Sequence, residues 1–563
     1  MNKISYFCHV LLAFQVLLFH EALHAVKERD DFDDLIALVD NSPEITNLIT
    51  ASSSAAAVRQ SSKVDIIGLL DNLGILALIQ ENFFLRTNNL NTRSLLDYPE
   101  FIPFRHDRDK RAIYVDLFYN QTSRMKFTGP SGNICSYLAV SDPEFLAKFK
   151  TVVNRVKDLF PEIPINTNDI LRVFNLFQTF TVQQRRLGLM IGGKTTFNRW
   201  HFNIMAPWYY LERNHFVDEK IKENLETLFA DLAFDLFGIP RQTPAQIEKN
   251  ENATNRFIDQ HFISDKFGFG DTRIYLDYPI IKKKFLSSRA GFLATIPTAF
   301  ALKKGVKGSH LHRVINRPLI DFLDIFDVAI SQQKVSPALG DLGLLFLDNL
   351  SAILLDTPMG NSGHFGLGFL VRNRSPLSSF IKLDWAQRFI MRSFISLEYQ
   401  FPALEWRSFR IPVNEALFNA HNFSNTEDPL IVNENFAFIE QQIVDRLFPV
   451  ALQTRVNPGV ILRWSSQFCY EGDNAGFTFG TDTYVRNKEN LSSVQANPIT
   501  RKMIAIANAQ APLSYQSKAV GSVFFKVEKP DRLYTIALCG DYTFMSRGIG
   551  QDFTLALNFD VTF

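Results

Sequence analysis

The sequence predicts a mainly β fold: an antiparallel transmembrane β-barrel of about twelve strands, with α-helical loop insertions and an N-terminal helical segment. Three observations predict it. Along Asp552–Phe563, Phe553, Leu555, Leu557, Phe559, Val561 and Phe563 share one parity, and Asp552, Thr554, Ala556, Asn558, Asp560 and Thr562 share the other. Successive side chains of a strand point to opposite faces, so this segment has one apolar and one largely polar face. The second observation is that no segment after the N-terminal apolar run can cross a bilayer as a helix, which takes about twenty largely uncharged residues. Ile66–Ile79 is interrupted by Asp71 and Asn72, and Leu339–Leu355 by Asp341, Asp348 and Asn349. A closed barrel is the other fold that satisfies every backbone group in lipid. The third is that long and short connections take turns along the chain, as in barrels with tight turns at one end and long loops at the other.

In chain order, residues 1–25 read as an export signal. Lys3 supplies the charge, Ile4–Phe19 the apolar run, and Ala22 and Ala25 are the candidate cleavage positions; an uncleaved anchor is the competing reading. Residues 26–110 form a helical segment, with the acidic Asp30–Asp34 ahead of the helix-like Val64–Leu85, lying at the turn end or inside the barrel as a plug. Residues 111–563 form the barrel. Strands are expected at Arg111–Gln121, Arg185–Gly193, Phe197–Leu211, Gly268–Ile280, Arg289–Phe300 and His364–Arg374. The second half supplies Ile390–Phe401, Gly459–Glu471, Asn474–Arg486, Gln516–Glu528, Arg532–Phe544 and Asp552–Phe563.

The connections Thr122–Gln184, Glu212–Phe267, Ala301–Gly363, Pro402–Pro458 and Asn487–Tyr515 are long. Those at Lys194–Thr196, Ile281–Ser288, Gly472–Asp473 and Lys529–Asp531 are short, Ser375–Phe389 is intermediate, and Met545–Gln551 breaks the trend. Four long loops carry helical periodicity. These are Asp142–Pro161, the segment from Ile221 to Pro240, one after Pro318, and one from Asn435 to Pro449.

A net charge of +1 leaves no electrostatic footprint for nucleic acid. The 53 phenylalanines suit many strands that turn a face to lipid. Cys135, Cys469 and Cys539 have no metal-like spacing, so neither a metal nor any other cofactor is expected. Gly188–Thr195 matches the phosphate-binding loop formally, but that motif must open a helix, and here a strand pattern follows. Gly192-Gly193-Lys194-Thr195 therefore reads as a hairpin turn. His310 and His312 lack a third ligand at a useful spacing. Ser362 and His364 invite a hydrolase reading, but the order Asn361-Ser-Gly-His364 departs from the histidine-serine-asparagine-glycine pattern of twelve-stranded outer-membrane phospholipases, so no catalytic residue is assigned.

The closing segment and the sorted loops resemble Gram-negative outer-membrane β-barrels, over roughly Arg111–Phe563 and without identifying a subfamily. That resemblance implies an assembly signal in Phe559, Val561 and Phe563, read by the barrel-assembly machinery. Trp200, Trp208 and Tyr210 read as an aromatic girdle. The tryptophans are eight residues apart, or roughly 26 Å along a strand and roughly 20 Å of membrane height at a tilt of about 40°. The polar parity nominates Asp271, Arg273, Asp277, Arg392, Glu398, Arg463, Asp482 and Arg486 as pore-lining, either orienting solutes or pairing to fill a narrow barrel. The leading function is a porin-like channel for small solutes in the outer-membrane bilayer. A non-conducting surface protein that binds a partner or host through its loops is the second reading, and a barrel hydrolase the third.

Overall fold

A computed structural model describes residues 111–123, 181–215, 262–306, 358–379, 384–411, 449–496 and 498–563, with short pieces at 127–128 and 134–135 and a few single positions. The signal, the N-terminal segment and His310–His312 lie outside them. So do the four loop helices, except at single helical positions such as Phe438, Gln441 and Asp445, where Gln441 Nε2 donates to Asp445 Oδ1 at 2.6 Å. Helix is otherwise sparse among the described residues, chiefly Pro498–Met503 and short 3-10 turns.

Strands β1 (Ala112–Thr122), β2 (Val182–Phe197) and β3 (Trp200–His215) are followed by two interrupted ones. These are β4 (Ile263–Phe269 and Thr272–Lys283) and β5 (Leu286–Ile296 and Phe300–Lys304). Then come β6 (Gly366–Pro376), β7 (Phe389–Gln400), β8 (Gly459–Glu471), β9 (Ala475–Arg486), β10 (Ser514–Lys529), β11 (Arg532–Arg547) and β12 (Asp552–Thr562). Each pairs antiparallel with its sequence neighbours, and β1 pairs with β12, so the twelve close into a ring. The seam runs in register from Ala112↔Thr562 to Thr122↔Asp552, and Phe563 N–H donates to Arg111 O at 2.8 Å beyond it. All twelve strands fall within a few residues of the alternating segments in the sequence.

Polarity is inverted relative to a water-soluble sheet. On β12 the polar Asp552, Thr554, Asn558, Asp560 and Thr562 are buried, while Leu555 and Phe559 are about half exposed at 52% and 45%. On β1, Tyr114, Asp116, Phe118 and Asn120 point in, and Ile113 and Leu117 point out. Water gives no reason to turn apolar side chains outward all round a closed ring; hydrocarbon does.

Aromatic contacts mark both edges of this belt. Near the turns, Trp200 meets Tyr278 at 5.2 Å, and Phe389 meets Tyr470 at 5.2 Å. Near the loops, Trp208 packs on Phe267 at 5.0 Å and stacks on Phe269 at 6.0 Å, while Tyr399 meets Phe401 at 5.1 Å. The Tyr210 hydroxyl donates to Asp265 at 2.9 Å and to Glu212 at 3.1 Å.

One expectation is corrected. Gly192–Thr195 is continuous strand, and the chain reverses at Asn198–Arg199, both with positive φ (45° and 71°). Positive φ at both central positions is the backbone that lets a two-residue hairpin follow the strand twist. Gly192 is small for another reason: a Cβ there would lie 2.2 Å from the inward Tyr114 ring.

The loop end carries a second sheet that the sequence reading placed in long loops. Its strands Ala403–Phe409, Val450–Asn457 and Asn490–Val494 pack Phe409, Val456, Leu491 and Val494 into a small core with Ile504 and Ala509. A buried ionic hub ties it to the barrel mouth. Arg407 bridges Glu405 at 3.0 Å and Glu489 at 3.1 Å; Glu489 also meets Arg486 of β9 at 3.5 Å and accepts from Ala511 N–H at 3.1 Å. His364 joins through Glu405, and its other ring nitrogen faces Phe401 O at 2.8 Å. Neither nitrogen is left for Ser362, so no serine-histidine pair forms. Burial raises the Glu489 carboxyl, but the Arg407 and Arg486 guanidiniums and the Ala511 amide outweigh it and hold the carboxyl below its ordinary range.

Two outcomes are expected. Leu538 lies near the middle of β11 and is 60% exposed, so Leu538→Arg should lower stability by about 2–4 kcal/mol. Reversible urea unfolding in lipid vesicles measures this, and an unchanged midpoint would place Leu538 away from hydrocarbon. The second follows from linkage. A carboxyl whose folded value is lowered stabilises fully above its unfolded value of 4.5 and loses that contribution as pH falls through the folded value. Glu489→Gln should therefore melt earlier than wild type at pH 7, the broken buried pair costing about 3–5 kcal/mol. The gap should narrow below pH 4.5.

Candidate functional site in the barrel lumen

The period of two that sends apolar side chains to lipid sends their neighbours into the lumen. From β4 come Arg273, Tyr275 and Asp277, with Asp271 at the break in the strand; β6 supplies Arg372 and Arg374. Strand β7 supplies Arg392, Phe394, Ser396 and Glu398, β8 supplies Arg463, Ser465 and Gln467, and β9 supplies Asp482, Tyr484 and Arg486.

The barrel's waist is filled. Phe394 is 3% exposed and lies between two guanidinium groups: Arg372 at 5.6 Å and Arg463 at 5.1 Å from its ring centre. Arg372 also lies 5.4 Å from the Tyr275 ring and binds Asp277, while Arg463 Nε donates to Asp482 at 2.8 Å. A cation over a ring face is attracted by the ring quadrupole, more strongly once desolvated. The row Tyr275–Arg372–Phe394–Arg463 thus forms a partition, its cations neutralised behind by buried carboxylates. Across the lumen, Tyr114, Phe118, Met190, Met205 and Tyr209 complete an apolar filling, and Tyr114 donates to Asn203 at 2.7 Å. Lys518 is fully buried between Asp541 at 3.1 Å and Asp552 at 2.8 Å, binding β10, β11 and β12 from within.

A cavity lies on each side, and Phe394 borders both. The turn-side cavity measures about 810 Å³ and opens among Arg199, Lys282, Arg289, Arg374 and Arg392. The loop-side cavity measures about 140 Å³ and is lined by Asp271, Arg273, Glu398, Arg463 and Arg486, among others. Met359, Gly360 and Asn361 are part of its lining. Asp271 accepts from Asn361 N–H at 2.5 Å and from Ala299 N–H at 3.2 Å, and a Cβ on Gly360 would lie 2.5 Å from the Asp271 carboxylate.

Of the eight nominated lumen residues, five border the loop-side cavity and Arg392 borders the turn-side one. Asp277 and Asp482 border neither, each being buried in its ion pair. Glu398 meets Arg273 at 3.8 Å and accepts from Thr295 at 2.7 Å; Arg392 meets Glu471 at 2.7 Å. The partition residues Arg372 and Phe394 were not nominated. Arg372 shares the lumen parity of Gly366, Gly368 and Leu370, so its facing was legible, but Phe394 looks like any core residue until its neighbours are known. Among the described residues no cluster of three or more His, Cys, Asp or Glu could hold a metal.

Neither a protein-family model nor a curated protein sequence matches the chain. Solved structures with a similar fold include an outer membrane channel from Pseudomonas putida F1 (7% identity, TM-score 0.35, covering 81% of this chain and 96% of that one). The Pseudomonas putida toluene transporter TodX gives 8% identity and a TM-score of 0.29, covering 85% and 95%. The β-domain of the Bordetella autotransporter BrkA gives 5% and 0.27, covering 81% and 100%. At such values the likeness carries no functional weight, and what the lumen does follows from its own geometry.

Proposed function

We propose that this chain is an outer-membrane β-barrel acting as a porin-like, non-enzymatic channel for small solutes. The observation that carries the reading is a closed, inside-out barrel whose lumen holds two cavities on either side of the Tyr275–Arg372–Phe394–Arg463 row, with Phe394 bordering both. A barrel built only to anchor loops has no need of water-accessible space on both sides of a thin partition. The lumen-facing Asp271, Arg273, Glu398, Arg463 and Arg486 would line the passage on the loop side, and Arg392 on the turn side. Asp277 and Asp482 would instead hold the partition arginines in place.

The outward parity supports two further assignments. Trp200, Trp208 and Tyr210 would form part of an interfacial girdle, since amphipathic rings suit the boundary of the apolar band. Phe559, Val561 and Phe563 form an outward strip beside the closing seam and would be read by the barrel-assembly machinery. The non-conducting alternative, a surface protein that binds a partner or host through its loops, draws on the filled waist and the folded sheet at the loop end.

Planar-bilayer recording separates the two readings. The wild type should conduct, and Phe394→Ala should raise single-channel conductance by removing the ring between the cavities. If neither protein conducts, the channel reading fails and the binding role takes its place. Deletion of Phe563 should lower the heat-modifiable, membrane-inserted fraction on gels more than a loop substitution such as Lys488→Ala does; normal insertion would remove its assembly role.

A further inference from the structure

The turn-side cavity has one sign of charge. Its described lining includes Arg199, Lys282, Arg289, Arg372, Arg374 and Arg392, together with His201, and no Asp or Glu. The carboxylates that pair with these groups stand away from the cavity wall: Asp277 holds Arg372, and Glu471 holds Arg374 at 3.5 Å and Arg392 at 2.7 Å. Thr196, Ser287, Ser465 and Gln467, on the inward parity, add neutral polar groups to the lining beside Phe394.

The register adds an independent observation. Arg289 on β5 stands directly opposite Arg372 on β6, and Arg374 on β6 directly opposite Arg392 on β7. Like charges directly opposite one another destabilise a strand pair. Two such pairs stand in adjacent ladders and face one cavity, and moving any of the four by one position would turn it to the outer face. Asp277 and Glu471 offset part of that cost from behind the wall, and an anion in the cavity would offset more of it from the open side. Guanidinium forks match the oxygens of carboxylates and phosphates two at a time, with donor geometry that chloride does not use as fully. The low-dielectric wall concentrates the field on the cavity.

We propose that the turn-side cavity is a binding vestibule for small multivalent oxyanions, solutes bearing phosphate or paired carboxylate groups. This rests on the channel reading and gives it a substrate class. A cavity of about 810 Å³ is within the usual size of small-molecule sites, large enough for such a solute with part of its hydration shell. Arg289, Arg374 and Arg392 would hold the oxyanion, Arg199 and Lys282 would attract it from the turn side, and Phe394 with Arg372 would form the floor through which it leaves.

The test uses the full-length protein in detergent, titrated calorimetrically with inorganic pyrophosphate and, in a second arm, with citrate. Binding of both is expected for a general oxyanion site, and of pyrophosphate alone for a phosphate site; raffinose, a neutral control, should not bind. Arg289→Ser should weaken pyrophosphate by about tenfold. Arg199→Gly should weaken it by about threefold while keeping the fold, because glycine relieves the positive φ at that turn position. Both effects should shrink in 1 M salt, where the Debye length falls to about 3 Å. Absence of pyrophosphate and citrate binding, or binding unchanged in both variants, overturns the vestibule. Bilayer recording in a salt gradient keeps the two proposals distinct. Oxyanion binding without conductance retains the vestibule and removes the channel, whereas conductance with neither binding nor anion preference does the reverse.

Discussion

The seam between β1 and β12 is the constraint on which the rest of the molecule depends. Hydrocarbon offers no hydrogen-bond partner, so an open sheet edge there would leave a row of N–H and C=O groups unsatisfied, each costing several kcal/mol. Eleven register pairs from Ala112↔Thr562 to Thr122↔Asp552 remove that edge. Once the ring is closed, every second side chain must face lipid and its neighbours must face inward. The apolar belt and the charged lumen are therefore two consequences of one requirement.

The inward set then poses its own problem. A twelve-stranded lumen that holds Tyr114, Phe118, Tyr209, Tyr275 and Phe394 has limited room for water, so its charged groups depend on one another. They are arranged as pairs across neighbouring strands: Lys518 with Asp541 and Asp552, Arg463 with Asp482, Arg372 with Asp277, Arg273 with Glu398. Removing one partner of such a pair leaves a buried charge uncompensated and costs far more than the pair adds. The pairs thus act chiefly to fix register and to hold particular side chains at the waist. On the turn-side wall arginines also stand opposite arginines, with Asp277 and Glu471 behind them.

The strands were legible because period-two alternation is a local signal, and inversion of inside and outside does not weaken it. Two local features misled. Gly192-Gly193 looks like a turn, but Gly192 is small because the Tyr114 ring occupies the space inside it, whereas the true turn at Asn198–Arg199 contains no glycine. The sheet at the loop end was hidden because Ala403–Phe409 alternates in an unusual way: its Glu405 and Arg407 belong to the buried hub, so the face that should have read as apolar carries charge. At the site, parity placed Arg273, Glu398 and Arg463 inward, but parity says nothing about which strand stands opposite. The Phe394 partition and the paired arginines exist only through the register of β5, β6, β7 and β8, and register is set by pairings far apart in sequence.

That register also limits how the lumen can open. The barrel wall is a continuous hydrogen-bonded ring, and widening it at the waist would break ladder bonds with no solvent to replace them. Opening must therefore come from side chains. Phe394 is the mobile candidate, because its neighbours Arg372 and Arg463 are tethered by Asp277 and Asp482 while the ring itself is held by cation–π contacts worth about 0.5–2 kcal/mol each. A solute carrying negative charge would compete with the ring for Arg372, the one of the two that borders the cationic cavity. Its arrival on the cationic side would weaken the contacts that close the passage, and a neutral solute of equal size would not. Selection and opening would then meet at Arg372, the arginine that both lines the charged cavity and holds the Phe394 ring.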